Sequence, residues 1–194
     1  MRYIIGLGNP GNEYEKTRHN AGRILATLFA KHLKLNDFEY DGKLNAQKTE
    51  GKISREKFTI ILPDTFMNKS GNSLKSLINS QAKAKNLIVI HDDLDLPLGK
   101  IKISFGKNSG GHRGVESIMR TIKTKDFLRL RIGISPATPS GKLKKPSGKQ
   151  KIEKLILGGF TAEENKKINA LAEKINQAFE TIITKDHQTA SSRL

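Results

Sequence analysis

Apolar positions along the chain follow two alternating patterns. Tyr3–Leu7 and Leu87–Ile90 are short, nearly unbroken apolar runs, the kind that a mainly parallel sheet buries on both faces. Arg23–Leu35 carries Ile24, Leu25, Leu28, Phe29 and Leu33 near helical spacing and predicts an amphipathic helix. Phe38–Thr49 alternates weakly and predicts an edge hairpin partner for Lys57–Leu62, which Pro63 ends because proline has no N–H for the ladder. Downstream, Ser70 or Asn72 can cap a helix whose inner face is Leu74, Leu77 and Ile78. Asn86–His91 predicts a buried strand that gives way to an acidic loop, Asp92 to Pro97.

Lys100–Phe105 alternates lysine with isoleucine, predicting a half-exposed strand with a basic outer face. Val115–Ile122 reads as a short helix, Phe127–Ile134 as a strand and Ala162–Thr184 as a long helix. Pro136–Lys151, rich in proline, serine, glycine and lysine, predicts a mobile basic loop, and Lys185–Leu194 a frayed basic tail. Strands alternating with helices place the chain in the α/β class, as one domain over residues 1–194 with a mixed, mostly parallel sheet flanked by helices.

Composition narrows the partners more than the fold. A length of 194 residues suits a single core, and no run of 18 apolar residues is present to span a membrane. The absence of cysteine excludes disulfides, thiolate metal sites and a cysteine nucleophile, a pattern that suits the cytosol. A net charge of +16 and a pI near 10.0 point to a polyanion, nucleic acid first, with a merely solvated lysine-rich surface as the alternative.

Three stretches carry candidate chemistry. Gly6-Leu-Gly-Asn-Pro-Gly11 formally matches the dinucleotide fingerprint, but Asn12–Asn20 offers only Tyr14 as an apolar residue where that motif needs a helix packing at once. A glycine turn that merely reverses the chain fits better. His91, Asp92, Asp93 and Asp95 fail the calcium-loop pattern, since Pro97 takes the next ligand position. Parallel strands, however, carry their carboxyl ends to one sheet edge, where His19 and Asp92 can meet as a base and its orienting carboxylate. An incidental loop histidine is the competing reading. Asn68 and the Gly110-Gly111-His112 turn are candidate oxyanion donors, the turn through its backbone N–H groups; an Asx turn and a flexible loop are the bland alternatives.

The ordered set Gly6–Gly11, Thr17–Gly22, Thr65–Gly71, His91–Pro97, Gly110–His112 and Arg129–Ile134 closely resembles bacterial-type peptidyl-tRNA hydrolase, from Tyr3 to about Phe160 and weakly into the last helix. The resemblance implies a twisted mixed sheet and hydrolysis of the ester between peptide and tRNA, so that tRNA returns to translation. It further implies a cytoplasmic monomer with tRNA as partner, acting without metal, cofactor or membrane. It assigns His19 as base, Asp92 as its carboxylate, and Asn68 and Asn9 as site-lining amides, Asn9 being associated with recognition of an N-blocked peptide. It places Tyr14, Asn20, Phe66, Met67, Gly111, Arg113 and Arg131 among the substrate-binding positions. Two departures stand out. Arg113 replaces the family's usual asparagine after Gly-Gly-His, exchanging a water-holding group for a phosphate contact. Ser104 aligns where a lysine is common, with Lys102 or Lys107 as substitutes. A non-catalytic RNA-binding relative of the same fold is the alternative function.

Overall fold

The structure, a computed structural model, describes residues 1–138, 140–185 and 189. Seven strands form one mixed sheet: β1 (Arg2–Gly6), β2 (Glu39–Asp41), β3 (Ala46–Ile53), β4 (Glu56–Pro63), β5 (Leu87–Pro97), β6 (Ile101–Phe105) and β7 (Leu128–Ser135). Their order is β2-β3-β4-β1-β5-β7-β6, with β4, β1, β5 and β7 mutually parallel and antiparallel strands at both edges. Helices α1 (Ala21–His32), α2 (Gln81–Ala84), α3 (Arg113–Ile122), α4 (Lys149–Leu157) and α5 (Ala162–Thr184) complete the described fold, with 3-10 segments at Arg18–Asn20 and Met67–Leu74.

The apolar runs are buried on both faces because successive strand residues point opposite ways. Ile4, Ile60, Ile88 and Leu130 pack with Phe29 of α1 and Phe179 of α5, whereas Ile5, Ile61 and Val89 pack with Leu74, Val115 and Ile118 on the other face. The helix after β1, α1, therefore lies on one face, and α3, on the route from β5 through β6 to β7, lies on the opposite one. The crevice between these two neighbouring strands is a topological switch point, where open α/β sheets bind ligands. Gly22 closes its floor: a Cβ there would stand 2.2 Å from the Ile90 carbonyl oxygen, so only glycine lets α1 start this close to β1 and β5.

Several expected boundaries move. The first helix begins at Ala21, ahead of Arg23, because Arg23 N donates to the Leu7 carbonyl and ties the helix start to the strand end. The helix expected after Ser70 or Asn72 is a 3-10 segment flanked by Phe66; Ser70 Oγ bonds back to the Met67 carbonyl and so does not cap a helix. The acidic stretch after His91 is not a loop: β5 runs to Pro97, paired to β7 through Asp93–Gly133 and again, after a register shift, at Pro97–Ser135. Residues 149–151 of the expected loop are the first turn of α4, entered through Gly148 at φ 86°. The expected tail lies outside the described residues apart from Lys185 and Thr189, as does Pro139 in the loop. Among the described residues no helix is long and apolar enough to cross a membrane.

Candidate active site

Adjacent parallel strands put the 3-10 turn after β1 against β5 just beyond their last paired residues, Gly6 and Ile90, and His19 meets Asp92 there. His19 Nδ1 lies 2.9 Å from Asp92 Oδ1 and 3.1 Å from Oδ2. A second imidazole shares the carboxylate, with His112 Nε2 also 2.9 Å from Oδ1. His112 caps α3: its Nδ1 accepts from Gly114 N and Val115 N, at 3.2 and 3.3 Å, so the ring proton sits on Nε2 and points at Asp92. The carboxylate thus collects two N–H donors. With Nδ1 of His19 donating, its Nε2 is left with a free lone pair.

Asp92 is 3% exposed, and burial raises its pKa; the charges and hydrogen bonds of His19 and His112 outweigh this and hold it far below the usual carboxylate range. Burial lowers the His19 pKa, but the Asp92 charge and hydrogen bond lift it above 6.5, while the nearby Arg113 charge pulls it back down. His91, fully buried beneath them, donates Nδ1–H to the Asp92 carbonyl at 2.7 Å. Burial first, and then the neighbouring His112, push the His91 pKa well down and keep that ring neutral.

His19 and Asp92 line a cavity of about 830 Å³ together with Asn9, Asn68, Gly111 and Arg113. Asn9 Oδ1 accepts from Met67 N at 2.8 Å, which turns its NH₂ to the remaining space. Asn68 is exposed and lines the cavity. Phe66, Leu94, Ile152, Ile156 and Leu157 add an apolar wall. His19, Asp92 and His112 also form a set whose ligand atoms lie within 4.8 Å of one another, close enough for a divalent ion. The 2.9 Å contacts within it are ordinary lengths for proton-bridged pairs.

Residues 3–194 match the family model described as peptidyl-tRNA hydrolase. The chain belongs to the peptidyl-tRNA hydrolase family. It is 41% identical over 186 residues to the peptidyl-tRNA hydrolase of Thermodesulfovibrio yellowstonii, covering 94% of this chain and 91% of that one. Over 188 residues it is 37% identical to that of Bacillus cytotoxicus, covering 95% and 94%. The crystal structure of peptidyl-tRNA hydrolase from Acinetobacter baumannii superposes with a TM-score of 0.87 at 28% identity, covering 100% of this chain and 93% of that one.

Within this member of the family, the remaining expected substrate positions divide into three groups. Phe66 (58% exposed), Met67, Gly111 and Arg113 line the cavity, and Tyr14 reaches its rim by packing edge-on to Phe66 at 6.4 Å. Asn20 does not face the cavity: it is 1% exposed, and its amide clamps the backbone of Asn9 through both Oδ1 and Nδ2. Arg131 is set apart, with Nε bonded to Asp93 at 2.6 Å and Nη1 3.4 Å from Ser104 Oγ. Lys102 stands opposite Arg131 in the β6–β7 register, so this exposed lysine shares its face. The glycine turn supplies fewer donors than expected, because Gly111 N and His112 N are both engaged by Ser109. The side chain of His112 and the α4 wall were not anticipated. A histidine directly ahead of a helix start, and isoleucines four apart at Ile152 and Ile156, were the available signals.

Proposed function

We propose that the chain hydrolyses the ester joining a peptide to the terminal ribose of tRNA, with His19 as general base. The observation that carries this reading is the His19–Asp92 contact at the wall of a cavity that also presents two amide side chains. Water bonded to His19 Nε2 gives up a proton to the ring as its oxygen attacks the ester carbonyl. The tetrahedral oxyanion accepts from the NH₂ groups of Asn9 and Asn68. Collapse breaks the bond to the ribose oxygen, and the imidazolium returns its proton to that oxygen. Asp92 stays ionised throughout and stabilises the imidazolium. A positioned base contributes about 10²–10⁴-fold, and one oxyanion donor about 10²–10³-fold, enough for an activated ester without a nucleophilic side chain.

The apolar wall formed by Phe66, Leu94 and the α4 residues suits peptide side chains. Lys69, Arg113 and Lys149 at the same cavity suit the phosphates of the tRNA 3′ end. A binder without chemistry has no use for a base whose tautomer is set by a buried carboxylate. The test is release of peptide from N-acetyl-aminoacyl-tRNA with the free-amine form spared. His19→Ala should remove turnover and leave tRNA affinity within about twofold; measurable turnover in that variant would overturn the assignment.

A further inference from the structure

Helix α4 has two working faces. One turns Ile152, Glu153 and Ile156 to the catalytic cavity; the other turns Lys151 and Lys154 to a second cavity of about 360 Å³. Leu155 of α4 together with Arg18, Lys144, Pro136 and Pro146 completes that second cavity. Arg18 is buried, with Nη1 bonded to the Gly159 carbonyl and Nη2 to Glu164, each at 2.6 Å. Its Nε–H is buried and has no acceptor. Among the described residues, Lys144, Lys151 and Lys154 have no acidic partner, and no acid lines the cavity. Three lysines without an acidic partner therefore line one cavity with a guanidinium already paired to Glu164, and the mutual repulsion of the lysines falls when an anion sits between them.

We propose that this cavity is a phosphate-binding site. The guanidinium supplies a rigid, already oriented charge, and three lysines on flexible stems can close around a tetrahedral anion. Two sources share that chemistry: a backbone phosphodiester of tRNA, and free inorganic phosphate. The tRNA source rests on the hydrolase reading, whereas phosphate binding as such does not. Occupancy also reaches the catalytic base, since Arg18 precedes His19 in the chain and its backbone N donates to the Gly158 carbonyl at the end of α4. A seated phosphate ties the helix to the turn that carries His19.

The test follows the Arg18 Nε–H signal and the Gly158 and Gly159 amides by NMR in ¹⁵N-labelled protein. Inorganic phosphate is titrated at constant ionic strength against chloride. Saturable shifts in the wild type, weakened at least about tenfold in apparent affinity in Lys151→Gln/Lys154→Gln, support the site; both lysines are exposed, so the fold does not depend on them. For the tRNA source, the slope of log Kd for deacylated tRNA against log salt should lose about 0.7–0.9 per contact removed in the same double variant. An unchanged slope beside intact phosphate binding assigns the site to free phosphate. The absence of any saturable shift with phosphate or with tRNA, or equal shifts in the double variant, would overturn the proposal.

Discussion

Asp92→Asn isolates the charge of the carboxylate from its shape. The amide can keep an oxygen at the Oδ1 position, where His19 and His112 both donate at 2.9 Å, so the two contacts survive in outline. On the proposed mechanism, what disappears is the counter-charge to the imidazolium formed as water is deprotonated. Two unit charges about 4 Å apart at an effective dielectric of about 20 interact by about 4 kcal/mol, which is about 10³-fold in rate. Turnover of N-acetyl-aminoacyl-tRNA should therefore fall by about 10³-fold, with substrate affinity little changed. The pH profile supplies an independent check. Burial, the largest influence on His19, lowers its pKa, and only Asp92 raises it, so removing that charge should move the acid limb of kcat/KM to lower pH. A loss of less than tenfold with an unmoved acid limb would refute the idea that Asp92 holds and charges the base.

Arg113→Asn should move the same limb the opposite way, to higher pH, because the guanidinium charge lowers the His19 pKa; the pH dependence of kcat/KM checks this. His112→Ala should cost about 1 kcal/mol through loss of the α3 cap, read by urea unfolding, and should reduce kcat by freeing one side of Asp92. His91 titrates far below its unfolded value of 6.5, so the unfolded chain takes up its proton first as pH falls. That withdraws up to about 1.4 kcal/mol of stability per pH unit below about 6.5. The His19 shift has the other sign: its stabilisation is complete below 6.5 and is lost as pH rises through its folded pKa. Urea titrations from pH 8 to 4.5 should accordingly peak near 6.5, and His91→Asn should flatten only the acid side.

The parts of the fold legible in the sequence are those where one period runs uninterrupted. Helix α5 spans Ala162–Thr184 as expected because Ile168, Leu171, Ile175, Phe179 and Ile182 form one stripe, all buried. The central strands were equally plain. The continuation of β5 was hidden, since Asp92, Asp93 and Asp95 look like solvated residues until Arg131 and His19 are seen beside them. The His19–Asp92 pair could be inferred from parallel strands sharing an edge. The second histidine on the same carboxylate depends on where α3 begins, and the inward turn of Asn20 depends on the Asn9 backbone, and neither leaves a mark in local sequence. The wall formed by α4 was also out of reach, because this short helix buries none of its residues fully and follows a stretch without periodicity.

The two members of the central pair stand 73 positions apart, and their meeting depends on β1 lying directly beside β5. A nascent chain emerges at about 5–20 residues per second, so β1 and its glycine turn wait several seconds at the ribosome before the strand carrying Asp92 arrives. In the interval β1 can pair only with β4, on its other side. Regain of catalysis during refolding thus times one non-local event, the closure of the sheet's centre, and should lag behind any signal that reports the β3–β4 hairpin alone.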